Sequence, residues 1–284
     1  MTTLVQCVPN FSEGRRPDVI AAIVDAVRAV PGVRLADWSA DPDHNRLVVT
    51  FVGPPEAVRD AALAAAAVAV AQIDIRRHGG VHPRLGALDV LPLVPLRGLT
   101  MADCAVLAHT VGRELAARHG LPVFLYESAS PRSLPLPMVR KEAFRTLTPD
   151  FGPPLPHPTA GAAVVGARGP LIAYNVVLSA PELSIAREMR ALTSLPGVRA
   201  LGLELPSRGL TQVSMNLTRP AETSLLAVFR EVEARAQARG TAVVGSEVIG
   251  AIPGFSAFGV LGDALRAAGL RPGQVLWENW ERGG

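Results

Sequence analysis

Cysteine is nearly absent from this chain. Cys7 and Cys104 are the only two in 284 residues, too few for a disulfide framework and not spaced as metal ligands. Cys7 lies in an apolar strand pattern and reads as core rather than nucleophile. Aromatic residues make up only 5 %, and no strand carries the interleaved aromatic and basic residues of an RNA-binding sheet. No Lys/Arg block is present either, so nucleic acid is not expected as a partner. Long apolar runs are missing: the longest, Ala61 to Ala71, is too short to cross a bilayer, so no membrane partner is expected. The first residues, "MTTLVQCVPNF", lack the basic and apolar regions of a secretory signal, so a cytoplasmic location is expected. Also missing are a P-loop, a dinucleotide fingerprint, GxSxG, CxxC and any paired-carboxylate motif.

What remains is a folded composition, 49 % apolar and 19 % charged, with enough residues for one large domain or two ordinary ones. The net charge of +3 suits anionic small molecules.

The chain reads as one unit written twice. "LVQCVPN" is a strand, and "RPDVIAAIVDAVRAV" a helix that stops at Pro31-Gly32. "VRLADWS" and "RLVVTFVG" are strands around the turn "ADPDHN". Pro54-Pro55 opens a second helix, and "DVLPLVPL" closes the unit. The order is β-α-β-β-α-β, a split unit of ferredoxin-like type. It returns as strand "GPLIAYNVVLS", helix "PELSIAREMRALTSL", strands "VRALGLELPS" and "LTQVSMNLT", a helix opened by Pro220, and strand "AVVGSEVIGAIP". Pro31 and Pro196, Val33 and Val198, and Pro55 and Pro220 each stand 165 residues apart, a fixed offset that marks a repeat. The expectation is an α/β chain of two pseudo-repeated βαββαβ subdomains, residues 1–169 and 170–284, each a mixed sheet covered by helices. "AAVVGAR" adds a further strand to the first. Residues 128 to 160, rich in Ser and Pro, are either a linker or the wall of a cleft.

The repeat fails once. The second helix and the closing strand are separated by roughly ten more residues in the first copy, and the excess falls on "RRHGGVHPRLG", residues 76 to 86. A loop the scaffold does not require is a common carrier of function. His78 and His82 therefore either cap a turn or exchange protons near neutral pH. Gly79 and Gly80 allow close approach, and Pro83 holds His82 extended. HxxxH aligns two metal ligands only on a helix, and Gly-Gly and Pro prevent one here. Asp41, Asp43 and His44 are the nearest source of a third ligand, and nothing requires one, so no metal is expected. In "NFSEG", Asn10, Ser12 and Glu13 stand at a strand end, where open α/β sheets bind ligands, or else they cap the following helix. Asn45 and Arg46 either form a hairpin turn or face a carboxylate.

Taken together, "CVPNFSEG" (7–14), "NRLVVTFVG" (45–53), "HGGVHPRLGALDVLPLVPLRGLTM" (78–101) and "DFGP" (150–153) resemble the glutamate formimidoyltransferases. The later "VVGARGPLIAYNVVL" and "AVVGSEVIGAIP" resemble that family's second subdomain. The resemblance implies transfer of a formimino group from N-formimino-glutamate to tetrahydrofolate, in histidine degradation and one-carbon metabolism. It implies His82 as the catalytic acid/base. It implies a folate segment over Gly152, Pro153, Pro154, Leu155, Pro156, His157, Pro158, Thr159, Ala160 and Gly161, and a ligand tunnel between the subdomains. It also implies tetrahydrofolate as co-substrate, a homodimer, and, from the length, a form without the cyclodeaminase domain of the animal enzymes. Candidates for binding the donor are Asn10, Ser12, Glu13, Asn45, Arg46, His78 and Arg84. The stretch after "LYES", residues 128–149, is shorter than in the fused enzymes. N-formyl-glutamate or 5-formyl-tetrahydrofolate as donor, and folate binding without catalysis, are the alternatives.

Overall fold

A computed structural model describes residues 3–252 of the chain. It divides into two compact units, Met1–Gly169 and Pro170–Gly284; residues 253–284 of the second lie outside the described residues.

In the first unit, β1 (Leu4–Cys7) and β2 (Asn10–Phe11) are one interrupted strand. Both pair antiparallel with β4 (Arg46–Gly53) on one side and β5 (Leu88–Arg97) on the other. The interruption falls at Pro9, which has no N–H to give the ladder. β3 (Arg34–Asp41) pairs with the outer edge of β4. The four strands thus run fourth, first, third, second across the sheet, the split βαββαβ order read from the sequence. α1 (Pro17–Arg28) starts on a proline, carries Asp18 in its first turn and buries Val19, Ile20, Ile23, Val24 and Val27 at three- and four-residue spacing. α2 (Pro55–Gln72) packs its alanine-rich face, including Ala61, Ala62, Ala65, Ala66 and Ala69, into the same core.

The unit is larger than one repeat. α3 (Met101–His119) opens with a capping box between Thr100 and Asp103 and ends at Gly120 with φ 61°. It leads to β6 (Val123–Glu127), α4 (Leu136–Glu142) and β7 (Ala163–Ala167). β7 pairs parallel with both β5 and β6, widening the sheet. The core side chains of α1, α2 and α3 share one face with Val49, Phe51, Leu91 and Leu93. Val139 of α4 packs on the other face, with Val90, Phe124, Tyr126 and Val164.

In the second unit β8 (Ile172–Leu178), α5 (Ser184–Ala191), β9 (Val198–Leu205), β10 (Leu210–Leu217), α6 (Leu225–Ala238) and β11 (Val243–Ile249) form a sheet of order β11-β8-β10-β9. This is the same fourth-first-third-second order. Three details differ from the sequence reading. Among the described residues the sheet is antiparallel throughout rather than mixed, because parallel pairing enters the first unit only through the extension strands β7 and β6, which have no counterpart among the described residues of the second. Pro220 does not open the helix. Glu222 and Thr223 turn back on the Arg219 carbonyl, the Thr223 hydroxyl is tied to the Pro196 carbonyl at 2.8 Å, and Ser224 caps α6 by accepting from Ala227 N–H. α5 is also shorter than its sequence pattern: the Glu182 carboxylate holds the Ser184 N–H before it, and Leu192 is already extended.

Candidate active site

The crossover from the second helix to the fourth strand takes residues 73–87 in the first unit and only 239–242 in the second. The long version begins with a single 3-10 turn, Ile75–Arg77, whose N-terminal Asp74 accepts from Arg76 N–H. It then runs across the turn before β4. Gly80 passes so close that a Cβ there would lie 2.4 Å from the His44 carbonyl oxygen. Val81 N–H donates to the Asp43 carbonyl at 3.1 Å. Asn45, at φ 47°, joins three segments. Its Oδ1 accepts from Gly14 N–H at 2.8 Å, its Nδ2 donates to Gly79 O at 3.1 Å, and its carbonyl accepts from His78 Nε2 at 2.8 Å. "NFSEG", the "DHNR" turn and the histidine loop are therefore one assembly.

The end of the loop is held by the segment after "FGP". Ile75 N–H donates to Thr159 O, Ala87 N–H to Ala160 O and Ala162 N–H to Leu85 O. Gly161, at φ 68°, would set a Cβ 2.3 Å from the Leu85 carbonyl oxygen. His157 closes a small hairpin: its backbone exchanges hydrogen bonds with Gly161, and its Nδ1 accepts from Thr159 and Ala160 N–H. Gly152 has φ 85°. Pro153, Pro154, Leu155 and Pro156 stand exposed beside this hairpin, Leu155 conspicuously so at 72 %.

His82 lies in the middle of the loop. Its Nδ1 is 2.8 Å from the Pro83 carbonyl. A carbonyl only accepts, so Nδ1 carries the proton and Nε2 keeps its lone pair. Nε2 makes no hydrogen bond among the described residues. Burial, followed by the positive charges of Arg46 and Arg140, pushes this imidazole well below the usual histidine range, so it is neutral at physiological pH. The His44 ring stands 5.8 Å from it, centroid to centroid, and His44 Nε2 is buried with no partner among the described residues.

Beneath the loop is a buried ionic cluster. Asp89 is fully buried, and its Oδ2 accepts from Arg46 Nη1 at 2.7 Å and from Arg140 Nη2. Its Oδ1 accepts from Leu85 N–H at 2.7 Å. Burial alone would raise this carboxyl, but Arg140, Arg46 and the Leu85 N–H hold it far below the carboxylate range. Two guanidiniums therefore share one carboxylate, and a positive charge is left over. Arg46 also donates through Nε to Asn10 Oδ1 at 3.1 Å. Arg84 is half-buried nearby and closes the loop on itself through Nη2 to Gly80 O at 2.6 Å and His82 O at 2.7 Å.

Of the residues proposed from sequence, His82, Arg46, Arg84, Asn10, Asn45 and His78 come together here. His78 is a support: Nε2 is committed to Asn45, and Nδ1 is buried without a partner among the described residues. Ser12 ties β2 to the end of the loop through Gly86 O at 2.7 Å. Glu13 accepts from Arg15 and Arg16 N–H and from Arg16 Nε, so it shapes the entry to α1. Both ends of the Asn45 amide are used within the protein. Asp89 and Arg140 were missed: Asp89 stands in a run of apolar strand residues, Arg140 beside Lys141 and Glu142 reads as a surface charge, and pairing across 51 positions leaves no local pattern. Burial pushes both thiols up, Cys104 to about 11, which leaves neither as a nucleophile at neutral pH. Among the described residues no group of three or more His, Cys, Asp or Glu side chains is placed to hold a metal ion.

A neutral histidine with a free ring nitrogen beside a buried arginine cluster, on a ferredoxin-like sheet, is an arrangement able to exchange a proton with an anionic small molecule. Comparison with known proteins makes this particular. Residues 4–168 match the N-terminal subdomain of the formiminotransferase domain, and residues 173–259 match the formiminotransferase domain proper. The chain belongs to the formiminotransferase family. It is 38 % identical to the glutamate formimidoyltransferase of Streptococcus pyogenes serotype M1 over 89 % of this chain and 90 % of that one. It is 36 % identical to the protein of the same name from Thermoplasma acidophilum, over 99 % and 98 %. The formimidoyltransferase-cyclodeaminase of Sus scrofa is 43 % identical over 89 % of this chain, which spans 51 % of that relative.

Proposed function

We infer that this protein transfers the formimino group of N-formimino-glutamate to tetrahydrofolate, releasing glutamate and 5-formimino-tetrahydrofolate. Family membership and two full-length relatives named for this transfer support the activity. The observation that carries the mechanism is the His82 tautomer: Pro83 O accepts a hydrogen bond from Nδ1–H, which leaves Nε2 as the base. Folate N5 attacks the amidine carbon of the donor. The new N5–C bond makes a tetrahedral intermediate, and His82 Nε2 takes the N5 proton. It then returns that proton to the glutamate nitrogen as the C–N bond breaks, because an unprotonated amine is a poor leaving group. A base held below the usual histidine range is neutral before attack, and as a conjugate acid it gives its proton up readily.

The surplus charge of Arg46 and Arg140 over Asp89, with Arg84 beside it, suits the two carboxylates of the donor. The segment Gly152–Gly161, joined by hydrogen bonds to both ends of the histidine loop, borders the folate in this reading. The test is an absorbance assay of purified protein with tetrahydrofolate as acceptor and, in turn, N-formimino-glutamate and N-formyl-glutamate as donors, and with glutamate as acceptor and 5-formyl-tetrahydrofolate as donor. Turnover is expected with the formimino donor. Turnover with a formyl donor only would overturn the reading.

A further inference from the structure

Two imidazoles stand together in the first unit's site, and the proposed transfer uses only one of them. His44 is the other. It is 7 % exposed, and its backbone is held at both ends. Its N–H donates to Asp41 Oδ1 at 2.7 Å. Its carbonyl oxygen lies 2.4 Å from where a Cβ on Gly80 would stand. Val81 N–H is tied to the carbonyl of Asp43. Gly80 and Val81 lead straight into His82, so the contacts that clamp the loop to the turn also fix the spacing of the two rings. Their centroids are 5.8 Å apart and their planes 31° from parallel.

Each ring has a nitrogen, Nε2, with no hydrogen bond among the described residues. The two differ in access. His82 is half-buried, and a substrate nitrogen can approach it. His44 Nε2 is sealed from water. A sealed ring nitrogen without a partner is costly, and the ring that stands beside it is His82. The reaction supplies a reason for the cost. His82 must take up a proton while the charges of Arg46 and Arg140 oppose an imidazolium. A lone pair on the adjacent ring offsets that opposition, because a hydrogen bond from a charged donor is among the stronger ones.

We propose that His44 is a positioning residue that acts through His82: its Nε2 lone pair accepts a hydrogen bond from His82 Nε2–H after His82 has taken the proton of folate N5 and before that proton passes to the glutamate nitrogen. One proton is shared by two rings in that interval, and neither ring keeps it. The ring proton of His44 stays on Nδ1 throughout. A small swing of His82 closes the gap, and Gly79, with open space where a Cβ would stand, leaves room for it. This deepens the proposed function and rests on it, since it gives His82 the means to hold the N5 proton.

The charged groups around the pair are Arg46, Arg140 and Asp89 against His82, Arg84 on its own loop and Asp41 beside His44. As a nearby charge alone, His44 opposes protonation of His82, so its removal would raise the pH at which His82 titrates. A shared proton has the opposite sign. The experiment follows the ring nitrogens by NMR of histidine-labelled protein as pH is lowered, in wild type and in His44→Phe, beside steady-state kinetics of both. In the variant His82 is expected to take its proton at lower pH than the first step of the wild type. Its kcat is expected to fall at least about tenfold, with KM for N-formimino-glutamate and tetrahydrofolate within about twofold. His44→Leu carries the same expectation and provides the test if His44→Phe melts early. The wild type alone gives a further check, since its first proton is expected to move the Nε2 resonances of both rings together. A His82 titration that rises or stays in place in the variants overturns the proposal. So does an unchanged kcat, or a first proton confined to one ring. A paired titration in protein that transfers no formimino group refutes instead the reading on which the pair's role rests.

Discussion

At the scale of single residues, a hydrogen bond from His82 to its neighbour's carbonyl decides which ring nitrogen keeps its lone pair. His82→Ala is expected to lower kcat by about 10²–10⁴-fold, while tetrahydrofolate binding measured by titration stays near wild type. Near-normal turnover would remove His82 from the proton transfer. Because the folded imidazole is held below 6.5, the acid limb of kcat/KM is expected below that pH, with full activity at neutrality. Asp89 answers to different physics. Asp89→Asn leaves Arg46 and Arg140 buried without their shared counter-charge, and denaturant unfolding should show a loss of about 3–5 kcal/mol. A loss under about 1 kcal/mol would mean that water or an anion already neutralises the arginines.

At the scale of elements, the histidine loop belongs less to its own helix and strand than to two neighbouring segments. Gly80→Ala places a Cβ 2.4 Å from the His44 carbonyl oxygen, so the loop must lift from the turn before β4. Turnover is expected to fall at least about tenfold with little change in the thermal midpoint, because the loop contributes few core side chains. A large drop in midpoint with preserved activity would contradict this. The strand and helix order of the two repeats, the repeat itself and the extra loop were legible in the sequence, whereas α3, β6 and α4 were not read from it. The legible features follow from periodicity, proline and glycine, which act locally. The start of α6 was not legible, because Pro220 and Ser224 both signal a helix start and the tie from Thr223 to Pro196 selects the serine. Arg140 was not legible either. It lies in the stretch 128–149 that the motifs say least about, and only the placement of α4 brings it to Asp89.

At the scale of the whole molecule, the linked groups push stability in one direction. The folded His82 imidazole titrates below its unfolded value of 6.5, so the unfolded chain binds the extra proton and stability falls as pH drops through 6.5. The folded Asp89 carboxyl titrates below its unfolded value of 3.8, so its contribution is complete above that pH and is lost below it. Thermal midpoints measured from pH 8 to pH 3 are expected to decline first below 6.5 and more steeply below 4. A midpoint that rises on acidification would overturn both assignments. Net charge acts on association rather than on folding. At +3, with surplus arginine at the site, KM for the anionic donor should rise with ionic strength while kcat holds.

The amino-acid sequence by itself determined the two ferredoxin-like repeats, the inserted loop and the histidine worth testing, because each is written in spacing over a few tens of residues. Only the tertiary structure decided which nitrogen of His82 is basic and that Arg46 shares Asp89 with Arg140. Those facts depend on strand register, helix placement and burial, which bring together residues far apart in the chain.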